Sequence, residues 1–192
     1  MPKRIYLAGP EVFLRDPRGQ GARKKEICAR YGFEGAFPMD TMLKLTIPPG
    51  PKDGWIISKA DEAMMDGCDL IVANMTPFRG PSMDVGTAFE MGYMRAQGKP
   101  VFGYSNVAAN YHLRVREFFG ADKIGVRPDG RVLEDPDGNM LEHFDMADNA
   151  MMVGAVMSSG AEIVAIDVPA AVRFTDLRAF ELCLQRAKAL LG

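Results

Sequence analysis

The chain has 192 residues, 47% of them hydrophobic and 25% charged, the profile of an ordinary globular domain, which excludes disorder and fibrous repeats. Its formal charge of −2, from 23 basic against 25 acidic side chains without a long run of either sign, excludes a non-specific nucleic-acid binder, which needs a basic face. Two histidines exclude a His-rich metal centre, and three scattered cysteines (Cys28, Cys68, Cys183) suggest neither a disulfide framework nor a zinc site, so any chemistry rests on carboxylates and hydroxyls.

The apolar run Ile5, Tyr6, Leu7, Ala8, stopped by Gly9 and Pro10, predicts a buried strand. A helix is expected from about residue 21 to 31, closed by Gly32 as a left-handed cap. Residues 36–54 are rich in Pro and Gly and read as one long loop, a feature that is often functional in a compact domain. Apolar spacing at 56, 57, 60, 63 and 64 predicts a helix over 55–65. A second strand follows at 69–74, then a helix over 84–97, entered at Asp84 and left at Gly98. Residues 101–104 form a third strand and 107–119 another helix, while turn signals at 127–130 and 135–138 bracket a short hairpin. A helix over 149–158, a strand over 163–166 and an amphipathic helix over 177–191 complete the chain.

Strands that read as solid apolar runs and alternate with helices imply an α/β fold, a mostly parallel sheet covered on both faces, in one domain spanning 1–192. Ligands in such sheets bind beyond the carboxyl ends of the strands, so the loops after Ala8, Asn74 and Tyr104 are the places for a site. No stretch approaches the roughly 20 apolar residues of a membrane span, and the N-terminus lacks a signal-peptide core, so a cytoplasmic location is expected.

The segment 74–92 carries the densest chemistry: a strand empties into a Gly/Pro loop, and the helix beyond it holds Asp84 at its cap and Glu90 on its second turn. Gly86 and Gly92 stand where Ala would suit a helix better by about 1 kcal/mol each, which points to close approach of something to the backbone. Glu90, set among Ala88, Phe89, Met91 and Tyr93, is a carboxylate with a tunable environment. Spacing alone equally allows Asp84 to be a simple cap and Glu90 to face solvent. Tyr6 reads first as core, with a hydroxyl free to serve a buried carboxylate. Asp61 reads as surface decoration, and Asp148 with Asn149 as a helix cap. Gly9 and Gly35 form neither a dinucleotide nor a P-loop pattern.

Together these segments resemble the nucleoside 2-deoxyribosyltransferase family over most of the chain. The strand Ile5, Tyr6, Leu7, Ala8, Gly9, Pro10 is similar to the family's opening strand. Residues 84–92, Asp-Val-Gly-Thr-Ala-Phe-Glu-Met-Gly, resemble its D-x-G-x-x-x-E-x-G signature. Residues 138–142 and 148–151, ending Asn-Ala-Met, resemble its late N-x-M motif. The resemblance implies a flavodoxin-like, Rossmann-like sheet. It implies an enzyme that exchanges the base of a 2′-deoxynucleoside with a free nucleobase, with no cofactor and no metal. Glu90 would be the nucleophile, Tyr6 its hydrogen-bonding partner and Asp61 the acid and base at the nucleobase. Asp84 and Asn149 would bind the sugar 5′-hydroxyl, with Asn149 and Met151 supplied by a neighbouring subunit of a homo-oligomer. Gly9, Val12, Phe13, Met39, Asp40, Met42 and Gly86 would complete the substrate site.

The chain departs from the family pattern at His143 and Ala150 and in the loop 41–54, so base preference does not carry over. An aspartate at position 84 disfavours a phosphate dianion and with it the related deoxynucleotide hydrolases. Hydrolysis of the N-glycosidic bond and a non-catalytic nucleotide sensor on the same scaffold are the alternatives. Of 14 methionines, Met39 and Met42 are expected at the base pocket and Met151 at a subunit contact.

Overall fold

A computed structural model describes residues 1–192. Five parallel strands form the sheet: β1 (Arg4–Ala8), β2 (Glu34–Ala36), β3 (Leu70–Asn74), β4 (Val101–Ser105) and β7 (Val164–Ala165), in the order β2-β1-β3-β4-β7. β3 and β4 are buried throughout, as is β1 beyond Arg4, which explains why they read as unbroken apolar runs. A two-stranded antiparallel hairpin, β5 (Gly125–Val126) with β6 (Leu133–Glu134), stands apart around the expected turn. The strand order is that of flavodoxin-like folds.

The helices are α1 (Pro17–Arg30), α2 (Pro51–Asp66), α3 (Val85–Ala96), α4 (Tyr111–Phe119), α5 (Ala150–Met157) and α6 (Arg178–Leu191). From β1 the chain steps to β2 on one side, and from β2 it returns past β1 to β3 and then β4. Right-handed crossovers therefore put α1 on one face and α2 and α3 on the other. α6 returns to the face of α1, where Arg30 and Tyr31 both reach Glu181 at 3.0 Å. α2 is tied to α3 by Tyr93 and Gln97, which donate to Asp66 at 2.8 and 2.7 Å. α5 packs beside α3.

Three expectations are corrected. α1 begins four residues before position 21, at the Asp16 cap, whose carboxylate accepts from the Gly19 N–H at 2.9 Å, with Pro17 in the first turn. α4 begins at Tyr111 rather than 107. The stretch 36–54 is less of a loop than its composition suggests. β2 ends inside it, a short turn of helix occupies Pro38–Asp40, and α2 starts at Pro51.

The switch point of the sheet lies between β1 and β3, where consecutive connections leave toward opposite faces and open a crevice at the strands' carboxyl ends. Gly9 ends β1 there with φ 155; a Cβ on it would run into the Glu11 carboxylate and come within 2.7 Å of the Asn74 Cβ. Only glycine lets the chain turn this tightly against β3.

Candidate active site

The crevice is a cavity of about 410 Å³. Gly9, Val12 and Phe13, after β1, form one wall. Pro38, Met39, Thr41, Leu43 and Leu45, after β2, form the second. Ile57 and Asp61, four residues apart on one face of α2, form the third, and Asp84, Gly86, Thr87 and Glu90 of α3 close it. Arg18, in the first turn of α1, is the cation among the lining residues.

At the floor the hydroxyl of fully buried Tyr6 donates to Glu90 Oε1 at 2.6 Å, while Oε2 takes no hydrogen bond. Burial pushes the Glu90 carboxyl up to about 8. The Tyr6 hydrogen bond opposes that rise, and the negative charges of Asp61 and Asp84 add to it. Burial likewise pushes Asp61 up to about 6. Two facing carboxyls with raised affinity for protons hold one proton between them near neutrality. The Tyr6 hydroxyl is itself pushed far above its ordinary range by burial and by Glu90, so it remains a donor at every working pH. It favours the charged form of Glu90 without reversing the order of the two carboxyls, so near neutrality the shared proton rests on Glu90, and the Tyr6 bond lowers the cost of passing it to Asp61. One carboxylate and one carboxylic acid then face one cavity.

Asp84 is both cap and wall. Its Oδ2 accepts from the Thr87 N–H and hydroxyl, each at 2.9 Å, which starts α3 and fixes the carboxylate at the cavity edge. The wall after β1 rests on a buried network. Lys24 of α1 donates to Glu11 Oε1 at 2.9 Å and Tyr104 of β4 donates to the same atom at 2.8 Å. The loop wall is held by Asp53, which accepts from the Gly50 N–H at 2.7 Å, from the Thr46 N–H at 2.9 Å and from the Thr46 hydroxyl. These hydrogen bonds, that of Gly50 foremost, lower the Asp53 carboxyl.

Of the residues expected at the site, Tyr6, Gly9, Val12, Phe13, Met39, Asp61, Asp84, Gly86 and Glu90 meet at this cavity or directly beneath it. Four do not line it. Asp40 turns back to accept from the Phe37 N–H at 3.0 Å and from Lys25 at 2.5 Å. Met42 is 80% exposed, with its sulfur 3.3 Å from the Arg18 guanidinium. Asn149 caps α5, its carbonyl accepting from the Met151 N–H at 3.0 Å and its amide donating to Glu142 at 2.7 Å. Met151 projects outward, 76% exposed. The entry to α5 is joined to the loop before α3 through buried Asp148, which accepts from Ser82 at 2.5 Å, the Met83 N–H at 3.0 Å and Arg114 at 3.0 Å.

Arg18, Pro38, Ile57 and Thr87 were not singled out as site residues in the sequence, and Thr41, Leu43 and Leu45 fell within the loop 41–54 without being named. The Asp16-Pro17 pair, a cap followed by a first-turn proline, is the signal that places Arg18 at this end of the sheet. Ile57 is marked by its four-residue spacing to Asp61.

The family model described as nucleoside 2-deoxyribosyltransferase matches residues 5–151. An uncharacterised protein of Schizosaccharomyces pombe is 34% identical over 171 residues, covering 85% of this chain and 81% of its own. Among solved structures, a 2-deoxyribosyltransferase from Leishmania mexicana aligns over 96% of this chain and 98% of its own, with a TM-score of 0.63 and 25% identity. A conserved protein from Enterococcus faecalis aligns over 97% and 99%, with a TM-score of 0.55 and 18% identity, a likeness of fold alone.

Proposed function

The chain belongs to the nucleoside 2-deoxyribosyltransferase family, and from that premise we propose that it moves the deoxyribosyl group of a 2′-deoxynucleoside from one base to another through an ester on Glu90. The observation that carries this reading is the Tyr6–Glu90 hydrogen bond of 2.6 Å at the floor of a cavity walled by Asp61 and Asp84.

In the first step Glu90 Oε2 bonds to the anomeric carbon as the bond from that carbon to the base nitrogen breaks. Positive charge develops on the sugar ring, and the carboxylate beneath it stabilises that charge before bonding. The pair of electrons leaves with the base, and Asp61 gives the base nitrogen its proton, since an anionic base is a poor leaving group. In the second step a new base loses its proton to Asp61, attacks the anomeric carbon from the opposite side and expels Glu90. Two displacements retain the configuration of the sugar. Asp84 accepts the sugar 5′-hydroxyl. Thr41, Leu43, Leu45, Ile57 and Met39 offer a largely apolar slot for a flat base, and Arg18 a donor to its acceptors. Asn149 and Met151 act on the site of a neighbouring subunit.

Incubation with one 2′-deoxynucleoside and a different free base is expected to yield the swapped nucleoside, and Glu90→Ala is expected to abolish it. Free deoxyribose without a swapped product assigns hydrolysis instead. Nucleoside binding without turnover assigns a sensor.

A further inference from the structure

Away from the cavity, the only two histidines of the chain come together. His112 lies in the first turn of α4 and His143 in the loop before α5, and their rings stand 4.1 Å apart between centroids. Asp145 joins them, with its Oδ1 3.8 Å from His112 Nδ1. The ligating atoms of the three side chains all lie within 4.8 Å of one another. His112 is 7% exposed, and its buried Nδ1 has no hydrogen-bond partner, an arrangement that costs free energy unless something accepts its lone pair. His143 and Asp145 are exposed, and Asp145 holds a left-handed backbone with φ 55.

We infer that His112, His143 and Asp145 bind one divalent transition-metal ion of the zinc class, which ties the first turn of α4 to the loop that enters α5. Two imidazoles and a carboxylate are a donor set suited to zinc, with water in the fourth position. Tetrahedral coordination with bonds of about 2.0–2.1 Å brings donor atoms to roughly 3.3 Å from one another. Side-chain rotation of the two exposed ligands toward fixed His112 closes the difference. The loop is already anchored to α4 by the Tyr111 N–H donating to the Met146 carbonyl at 2.9 Å, so little chain entropy remains to be lost on binding. Two histidines suffice for such a site because residues 31 positions apart in sequence meet at one point. The site is independent of the transferase reading, because it involves none of the cavity residues.

The test is titration of the tag-free, chelator-treated chain with zinc ion alone, followed by calorimetry and by the melting temperature. One zinc per chain is expected, with a rise in melting temperature that grows with zinc concentration. His143→Ala and Asp145→Asn change exposed side chains and keep the fold. Each is expected to weaken binding by more than the roughly 10- to 100-fold typical of losing an outer-shell partner, and to abolish the thermal shift. Failure of the wild-type chain to take up zinc saturably, or uptake that survives both variants unchanged, overturns the site.

Discussion

In the proposed exchange Glu90 and Asp61 do opposite things in one cavity, and the division depends on a single shared proton. Below about 6 the pair takes up a second proton and the nucleophile is lost; above about 8 it gives up its last proton and the acid is lost. The rate of base exchange, as kcat/KM, is therefore expected to trace a bell between those limits. Asp61→Asn leaves Glu90 to titrate alone beside a neutral neighbour, so the acid limb is expected to move up from about 6 without passing about 8, while the alkaline limb disappears. The rate should fall on the order of 10² to 10⁴-fold. An acid limb that does not move would separate the two carboxyls. The same burial taxes stability. The ordinary value for Glu90 is 4.5 and its folded value about 8, so its stabilising contribution is complete below 4.5 and is lost as pH rises through 8. Glu90→Gln, which keeps an acceptor for Tyr6, is thus expected to leave the melting temperature unchanged at pH 4 and to raise it at pH 9. Tyr6, Asp84 and Glu90 became legible as a set only through the resemblance of their segments to the family; spacing alone left Tyr6 as core, Asp84 as a cap and Glu90 free to face solvent. Arg18 was not, because its element was read as starting too late.

At the scale of elements, the wall after β1 depends on an ion pair sealed from water: the side chains of Lys24 and Glu11 are 0% and 1% exposed. Removing one member strands the other's charge, so Lys24→Ala is expected to cost about 3–5 kcal/mol in urea unfolding. A loss near 1 kcal/mol would mean that water reaches Glu11. Nothing in the sequence flagged this pair, since Glu11 and Lys24 lie 13 residues apart on different elements and each reads as surface. The long strands and helices were legible because burial on one or both faces writes itself into apolar spacing. β2 was not, because Glu34, Gly35 and Ala36 offer no apolar run and gain their order from pairing with Arg4, Ile5 and Tyr6. The start of α2 was hidden by Pro51, which loop composition and a helix's first turn share. Its cap is supplied by Asp53, whose bonds back to Gly50 and Thr46 fold the loop onto the cavity.

At the scale of the whole molecule, the chain carries groups that its own cavity does not use. Met151 projects from the start of α5, and Val85 and Phe89 are exposed on α3 beside it. Asn149 spends both halves of its side chain on capping α5 and on Glu142, which by itself is a complete local explanation. The two readings of Asn149, as a cap and as part of a neighbour's site, make different predictions for mixtures. If sites are shared, Glu90→Gln and Asn149→Ala oligomers are each inactive, yet unfolding and refolding them together brings a wild-type Asn149 to a wild-type Glu90. In a twofold dimer half the mixed population carries one intact site of two, so about a quarter of the wild-type rate is expected to return. If Asn149 serves only its own helix, mixing restores nothing beyond the sum of the two variants, and the loss in Asn149→Ala tracks a lowered melting temperature instead. Because Asp148 links the entry to α5 with the loop before α3, a displaced α5 would also shift Asp84. Recovery on mixing is the readout that a purely local cap does not produce.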